Sequence, residues 1–267
     1  MPVGFAFHPG TLLREVDAVT PETFAAACDK LVAMGWRAAE YSAGTAQSMW
    51  PEPGDYRRIV TDHGLQPLTL YTPYGVADPA EMGAALERGR RSFAYLAAAG
   101  CEFALLDGGP HSEGADRDEE TSVVAESADR LAELAHSAGL RAVWHQHYGT
   151  VIEYAPQFHR FMELVDPKLV EFCPDTAQLM LGGIDCEDTF RRYIDRITYV
   201  HFKDLDAERR MREIGGGLVK FEPLRDMLVS AGYSGWISPD LDYATGMTCE
   251  EAARRCMAGL VELFGGA

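Results

Sequence analysis

Short apolar runs alternate with longer amphipathic stretches along the whole chain. The runs lack the apolar–polar alternation of a half-buried strand, which is typical of parallel strands covered on both faces. We predict eight such strands: Val3–Phe7, Trp36–Tyr41, Leu65–Tyr71, Cys101–Asp107, Leu140–His145, Leu169–Cys173, Ile197–Phe202 and Gly235–Leu241.

A helix is predicted after each strand, from the helical period of its apolar positions. The first has clear boundary signals, because Thr20 stands at the N-cap, Pro21 at the first helical position and Gly35 after the last turn. The eight predicted helices are Pro21–Met34, Asp55–Asp62, Pro79–Ala99, Asp118–Ser137, Pro156–Val165, Asp185–Tyr193, Glu222–Ala231 and Thr248–Phe264.

These eight strand–helix pairs follow one another without a linker rich in serine or proline. A (β/α)8 barrel typically takes about 250 residues, close to the 267 of this chain. We therefore predict an α/β fold, a TIM barrel that forms a single domain over residues 1–267. A doubly wound open sheet is the alternative, although no G-x-G-x-x-G dinucleotide motif follows the first strand.

The charge balance narrows the range of partners. Lysine and arginine number 24 against 41 aspartates and glutamates, a formal net charge of −17. Such a surface repels nucleic-acid phosphates and anionic lipid headgroups, so we expect neither partner. No apolar run approaches the length of a membrane span, and the first residues lack the pattern of a signal peptide, which favours a cytoplasmic location.

Acids and imidazoles gather where the predicted strands end. In a barrel these carboxyl ends form one face, and active sites lie there. Five of the eight histidines fall on this face, at positions 8, 111, 145, 147 and 201. The residues at or just beyond the strand ends are His8, Glu40, Tyr71, Asp107, His145, His147, Asp175, His201, Lys203, Asp240 and Asp242.

Mixed imidazole and carboxylate groups suit a divalent ion such as Mn, Co, Zn or Fe(II). Such an ion polarises a carbonyl, and a neighbouring histidine or carboxylate takes the adjacent C–H proton. Structural roles are the alternative for single residues. Asp175 would then cap the next helix, His201 would be a core imidazole, Glu40 would pair with an arginine and Glu153 would be a loop acid.

Three segments of the second half resemble one known family. FCPDTAQLMLGGIDCEDTFRRYIDRITYVHFKD, HQHYGTVIE and GYSGWISPDLD are similar to the strand-six-to-seven, strand-five and strand-eight blocks of the xylose-isomerase-like TIM barrels, nearest to the inosose-dehydratase-like branch. The superfamily also includes sugar isomerases, epimerases and endonuclease IV. The resemblance covers about residues 139 to 243 and is diffuse before them.

The resemblance implies one divalent metal ion, with Mn favoured over Co, Fe, Zn or Mg. The family's ligands would correspond to Glu153, Asp175, His201 and Asp240. His145 and His147 would face the substrate or the metal, one of them as a proton shuttle, and Lys203 would stabilise an enediolate oxygen. We expect Glu40, Tyr71, His8 and Gln178 to contact the substrate.

Three positions depart from the family pattern. The strand-eight acid is Asp240 instead of glutamate, Ala177-Gln178 replaces Gly-His after Asp175-Thr176, and Gly215–Gly217 replaces Gly-Glu-Gly. The sequence therefore predicts a metal-dependent sugar isomerase, epimerase or dehydratase-like lyase acting on a keto-sugar, sugar acid or cyclic polyol. We expect a homodimer or a partner subunit. The alternatives are a non-catalytic sugar-binding barrel or subunit and an endonuclease IV-like phosphodiesterase.

Overall fold

Eight parallel strands form the centre of the protein. The computed structural model describes residues 3–265. The strands are β1 (Gly4–Phe7), β2 (Ala38–Ser42), β3 (Gln66–Tyr71), β4 (Phe103–Leu106), β5 (Arg141–His145), β6 (Glu171–Cys173), β7 (Tyr199–His201) and β8 (Trp236–Ser238). Each lies within a predicted apolar run or overlaps most of it.

The strands close into a barrel. Hydrogen bonds order them as β3-β2-β1-β8-β7 and as β4-β5-β6. The two groups meet where the Glu102 amide donates to the Leu68 carbonyl at 3.0 Å, and where parallel bridges join Phe172 to Ile197 and Asp175 to His201. Every strand therefore has its chain neighbours beside it. The predicted TIM barrel is confirmed, and the open-sheet alternative is wrong.

Helices surround this barrel. They are Pro9–Leu12, Pro21–Met34, Ala43–Met49, Pro53–Asp62, Met82–Ala98, Arg117–Ser137, Ala155–Leu164, Thr176–Leu181, Cys186–Tyr193, Phe221–Ser230 and Cys249–Phe264. The predicted Pro79–Ala99 helix starts with a 3-10 turn, Pro79–Glu81. In the described part of the chain, no helix has both the length and the apolar character that crossing a bilayer requires.

Side chains fill the barrel interior below its carboxyl-end face. Phe103 stacks on Tyr199 with ring centroids 5.3 Å apart and planes 8° from parallel. Small side chains opposite them, such as Ala6 and Ala38, leave room for these rings. The amino ends are tied by Arg141, whose guanidinium pairs with Glu102 at 3.1 Å and Glu171 at 2.9 Å. The lower interior is a packed apolar core, so the candidate chemistry lies toward the carboxyl-end face, here called the upper rim.

Two rim loops touch backbone to backbone at Gly75. A Cβ on Gly75 would lie 2.2 Å from the Gly109 nitrogen and 2.4 Å from the Asp107 carbonyl oxygen. We expect Gly75→Ala to lower the free energy of unfolding by about 1–3 kcal/mol, because backbone cannot yield as a side-chain tip does. Urea denaturation measures this.

A matched glycine supplies the control for that substitution. Gly83 lies in the helix Met82–Ala98, and a Cβ there meets nothing within 4 Å. Gly83→Ala should raise stability by up to about 1 kcal/mol, since alanine favours the helix. Equal effects of the two substitutions would show that the loop contact at Gly75 is not tight.

Candidate functional site

Four side chains from four strand ends converge on the upper rim. His145 ends β5, Asp175 follows β6, His201 ends β7 and Asp240 follows β8. Each offers one ligand atom, and these atoms all lie within 4.8 Å of one another. His145, Asp175 and His201 are buried, while Asp240 is half-buried. The closed barrel brings together residues that are far apart in the sequence.

The donor atoms of this group suit a divalent ion. His145 Nε2 lies 3.5 Å from Asp175 Oδ2, and His201 Nδ1 lies 3.4 Å from Asp240 Oδ2 and 3.8 Å from Asp175 Oδ2. His201 Nδ1 is buried and has no hydrogen-bond partner among the described residues. Two imidazoles and two carboxylates are a donor set that fits zinc, manganese, cobalt or iron.

Asp175 serves the fold and the site with different oxygens. Its Oδ1 accepts a hydrogen bond of 3.0 Å from the Gln178 amide and so caps the helix Thr176–Leu181. Its Oδ2 faces His145 and His201. The capping role and the site role, which the sequence presents as alternatives, are therefore compatible.

Lys203 adds a positive charge inside the group. Its buried Nζ lies 2.6 Å from Asp240 Oδ2, 3.3 Å from Asp175 Oδ2 and 3.5 Å from Asp242 Oδ2. Burial opposes the ammonium charge, but the three carboxylates outweigh it and raise the pKa of Lys203 well above its usual value. Burial likewise disfavours the Asp175 carboxylate, but Lys203 lowers the pKa of Asp175 to about 2. Both groups are charged at neutral pH.

Glu40 is buried beneath the group, at the third position of β2. Its Oε2 accepts hydrogen bonds from the Tyr199 hydroxyl at 2.6 Å and from His201 Nε2 at 3.1 Å. Its Oε1 accepts a hydrogen bond from the Ser238 hydroxyl. The partners are thus neutral side chains and a histidine of the site, not the arginine of the structural alternative.

His147 stands beside His145, with ring centroids 5.7 Å apart. Its Nδ1 lies 2.7 Å from the Tyr148 carbonyl oxygen. Because a carbonyl only accepts, Nδ1 carries a proton, and a neutral ring then keeps its lone pair on Nε2. Gln178 Nε2 lies 3.3 Å from this Nε2 and Gln178 Oε1 accepts from the Tyr148 amide at 3.0 Å. Gln178 therefore holds the loop that presents His147.

Glu153, the ligand that the resemblance implies on the β5 side, does not join the four-residue group. Its carboxylate accepts hydrogen bonds of 2.9 Å from Arg117 and 3.0 Å from the Gly149 amide. The fourth ligand atom of the group comes from His145 instead. The signal was present in the sequence, because His145 ends its strand just as His201 does.

Two other rim residues lie around the group. Tyr71 donates a hydrogen bond of 2.7 Å to Asp107 Oδ2, and its ring centroid is 6.4 Å from that of His145. Burial, together with the charge of Asp107, raises the pKa of Tyr71, so the phenol stays protonated. His8 occupies the N-cap position of the helix Pro9–Leu12 without a side-chain capping hydrogen bond, and its ring packs on Tyr41 at 5.3 Å between ring centroids.

Asp204, to which the sequence assigns no role, shapes the loop at Gly215–Gly217. Its carboxylate accepts hydrogen bonds from the amides of Gly215 at 3.1 Å, Gly217 at 2.8 Å and Val219 at 3.0 Å. A Cβ on Gly217 would lie 2.4 Å from the Leu205 carbonyl oxygen. The loop thus needs glycine at position 217 to close over Asp204.

Comparison with known proteins identifies the type of barrel. The profile of a family described as a xylose isomerase-like TIM barrel matches residues 28–258. An inosose dehydratase of Geobacillus kaustophilus is 29% identical over 217 residues, which are 70% of this chain and 70% of that protein. An inosose dehydratase of Lacticaseibacillus casei is 30% identical, but this match spans about half of each chain, 50% and 49%.

Solved structures have the same fold at low identity. A sugar phosphate isomerase/epimerase of Parabacteroides distasonis superposes with a TM-score of 0.80 and 17% identity, over 99% of this chain and 100% of that one. The IolI protein with a bound zinc atom superposes with a TM-score of 0.79 and 15% identity, over 98% of both chains. At these identities the likeness shows the fold.

Proposed function

The chain belongs to the xylose isomerase-like TIM barrel family, and from this premise we propose that it is a metal-dependent enzyme that enolises a sugar. The substrate class would be a keto-sugar, sugar acid or cyclic polyol, and the reaction an isomerisation, an epimerisation or a dehydration. The proposal is supported by relatives named inosose dehydratase and by structural neighbours named epimerases. It rests above all on the four-residue group at the rim.

We assign the metal to His145, Asp175, His201 and Asp240, with manganese as the favoured ion. One divalent ion bound there would polarise a substrate carbonyl and make the neighbouring C–H proton more acidic. Asp240, one methylene shorter than the family's glutamate, still brings an oxygen into the group. Glu153 is left to position the β5 loop through Arg117 and Gly149.

We assign the proton transfer to His147. Its Nδ1–H is fixed by the Tyr148 carbonyl, so Nε2 is the ring nitrogen that can take up a proton. Gln178 lies 3.3 Å from that nitrogen, a long contact that a substrate can replace. His147 is half-buried on the rim, where a sugar would reach it.

Lys203 would act through its charge. An amine that three carboxylates keep protonated cannot serve as a base near neutral pH. A buried ammonium beside the reacting carbon stabilises negative charge that develops on oxygen. Tyr71 would form part of the wall of the site, with its hydroxyl held by the hydrogen bond to Asp107.

Two measurements on the purified protein test the proposal together. Elemental mass spectrometry should find one Mn, Co, Fe or Zn per chain, or one Mn after incubation with manganese. The metal-loaded protein should then exchange the α-proton of at least one keto-sugar for deuterium from the solvent. NMR measures this exchange.

The other outcomes favour different functions. Metal binding without exchange on a broad sugar panel would contradict enolisation. Failure to bind any divalent ion would favour a non-catalytic sugar-binding barrel. Three zinc ions per chain would favour the phosphodiesterase alternative.

A further inference from the structure

The side chain of Glu40 crosses the barrel interior to strands that are not its neighbours. β2 lies beside β1 and β3 in the sheet, whereas Tyr199 and His201 belong to β7 and Ser238 to β8. A buried carboxylate carries a large desolvation cost unless it is hydrogen-bonded. Both oxygens of Glu40 are hydrogen-bonded, and the donors belong to the strands that carry two of the four candidate ligands.

The contact with His201 determines which ring nitrogen is available as a ligand. A carboxylate only accepts, so His201 Nε2 carries the proton in its 3.1 Å hydrogen bond to Glu40. Nδ1 then faces Asp240 and Asp175, at 3.4 Å and 3.8 Å. Histidine ligands commonly donate their second nitrogen to a carboxylate, which fixes the ring and makes the ligating nitrogen more basic.

Ser238 connects Glu40 to the backbone amide of the second candidate ligand, Asp240. Ser238 donates its hydroxyl to Glu40 Oε1, and the same Oγ accepts a hydrogen bond of 3.0 Å from the Asp240 amide. Asp240 has φ of 40°, in the left-handed region that a non-glycine residue adopts at a cost. A strained conformation of this kind persists only where its surroundings hold it. The Ser238 hydroxyl holds the Asp240 amide, while Lys203 holds the carboxylate.

We propose that Glu40 is the positioning residue of the metal centre, because it holds His201 with Nδ1 toward the ion and holds Asp240 through the Ser238 hydroxyl. Glu40 touches neither the ion nor the substrate in this role. The inference rests on the proposed metal site and assigns to it a residue of β2, the strand that supplies none of the four ligands.

Cobalt binding by the metal-free protein tests the inference without relying on turnover. Co²⁺ affinity is measured by competition with a chelator, and the visible absorption bands report the ligand geometry. Glu40→Gln keeps the size of the side chain but removes its charge and one acceptor. We expect it to weaken Co²⁺ binding about 10–100-fold, as loss of a ligand's carboxylate partner does, and to change the absorption bands.

Two further variants separate positioning from general damage. Glu171→Gln changes a half-buried strand glutamate at the opposite end of the barrel, bonded to Arg141 and Thr198, and should leave affinity and spectrum unchanged. Ser238→Ala removes the hydrogen bonds to Glu40 Oε1 and to the Asp240 amide but keeps the bond between Glu40 and His201, so we expect a smaller loss of affinity than for Glu40→Gln. Urea denaturation shows whether each variant folds. If Glu40→Gln does not fold, Ser238→Ala still tests the inference.

The results distinguish the inference from the proposed function. Wild-type affinity and an unchanged spectrum in both Glu40→Gln and Ser238→Ala would overturn the positioning role while leaving the metal site intact. If the wild-type protein binds no Co²⁺, Mn²⁺ or Zn²⁺, the metal site itself is wrong and the inference falls with it. Equal losses in Glu40→Gln and Glu171→Gln would also overturn it, because the effect would not be local.

Discussion

Replacing Asp175 by asparagine is expected to remove the bound ion and deuterium exchange together. Asparagine has the size of aspartate and keeps an oxygen for the Gln178 amide, so the cap of the helix Thr176–Leu181 survives. The charge that Oδ2 directs at His145 and His201 is lost. Loss of a residue that hydrogen-bonds to a metal ligand typically weakens metal binding by up to roughly 100-fold. We expect a larger fall in metal affinity here, because a ligand itself is changed. Metal content and exchange rate are measured on the same samples.

A second capping aspartate provides the control for this substitution. Asp185 accepts a hydrogen bond of 2.7 Å from the Asp188 amide at the start of the helix Cys186–Tyr193, outside the candidate site. Asp185→Asn should retain the ion and full exchange, with at most a small change in the urea midpoint. Exchange at the wild-type rate in Asp175→Asn would refute the assignment of the site.

The substitution His147→Gln should slow turnover while the ion stays bound. Glutamine can occupy the space beside Gln178 and Tyr148, but its amide cannot take up a proton at neutral pH. We expect deuterium exchange to fall by about 10²–10⁴-fold, the usual contribution of a general base. The expected pattern is a lower kcat with metal content and unfolding midpoint near those of the wild type.

His159 offers a matched histidine away from the rim. It is half-buried in the helix Ala155–Leu164, and its Nδ1 lies 3.0 Å from the Tyr193 hydroxyl. His159→Gln should leave the exchange rate unchanged. Loss of the ion in His147→Gln would indicate that His147 binds the metal instead of transferring the proton. An unchanged exchange rate would show that His147 has no role in the mechanism.

The fold was predictable because its signals are local. Each apolar run and each amphipathic helix can be recognised within its own segment, and Thr20, Pro21 and Gly35 mark boundaries that the structure keeps. The helices Pro9–Leu12, Ala43–Met49 and Thr176–Leu181 were not predicted. A helix of one or two turns is too short to show a period.

The candidate site was predictable in outline because barrel strands end on one face. Position at a strand end suggested His145, Asp175, His201 and Asp240 for the rim, and the structure brings these four together. The assignment of Glu153 followed the resemblance instead of the strand end. Glu153 stands eight residues after His145 in the sequence, and the intervening loop turns its carboxylate to Arg117 and Gly149.

The hydrogen bonds of Glu40 beneath the site could not be predicted from the sequence. Glu40 bonds to Ser238 and His201 across separations of 198 and 161 residues, and no local pattern marks either pair. Its position in β2 indicates only that it lies near the rim. Which oxygen accepts from which donor depends on side-chain directions inside the closed barrel.

The buried ammonium of Lys203 bears on whether the barrel needs an ion in order to fold. In many small metalloproteins folding and metal binding are one event, because the unfolded chain has no preformed site for the ion. Here Asp175 and Asp240 already have Lys203 between them, at 3.3 Å and 2.6 Å. Their charges are compensated by the polypeptide itself. We therefore expect the barrel to fold before an ion binds at the proposed site.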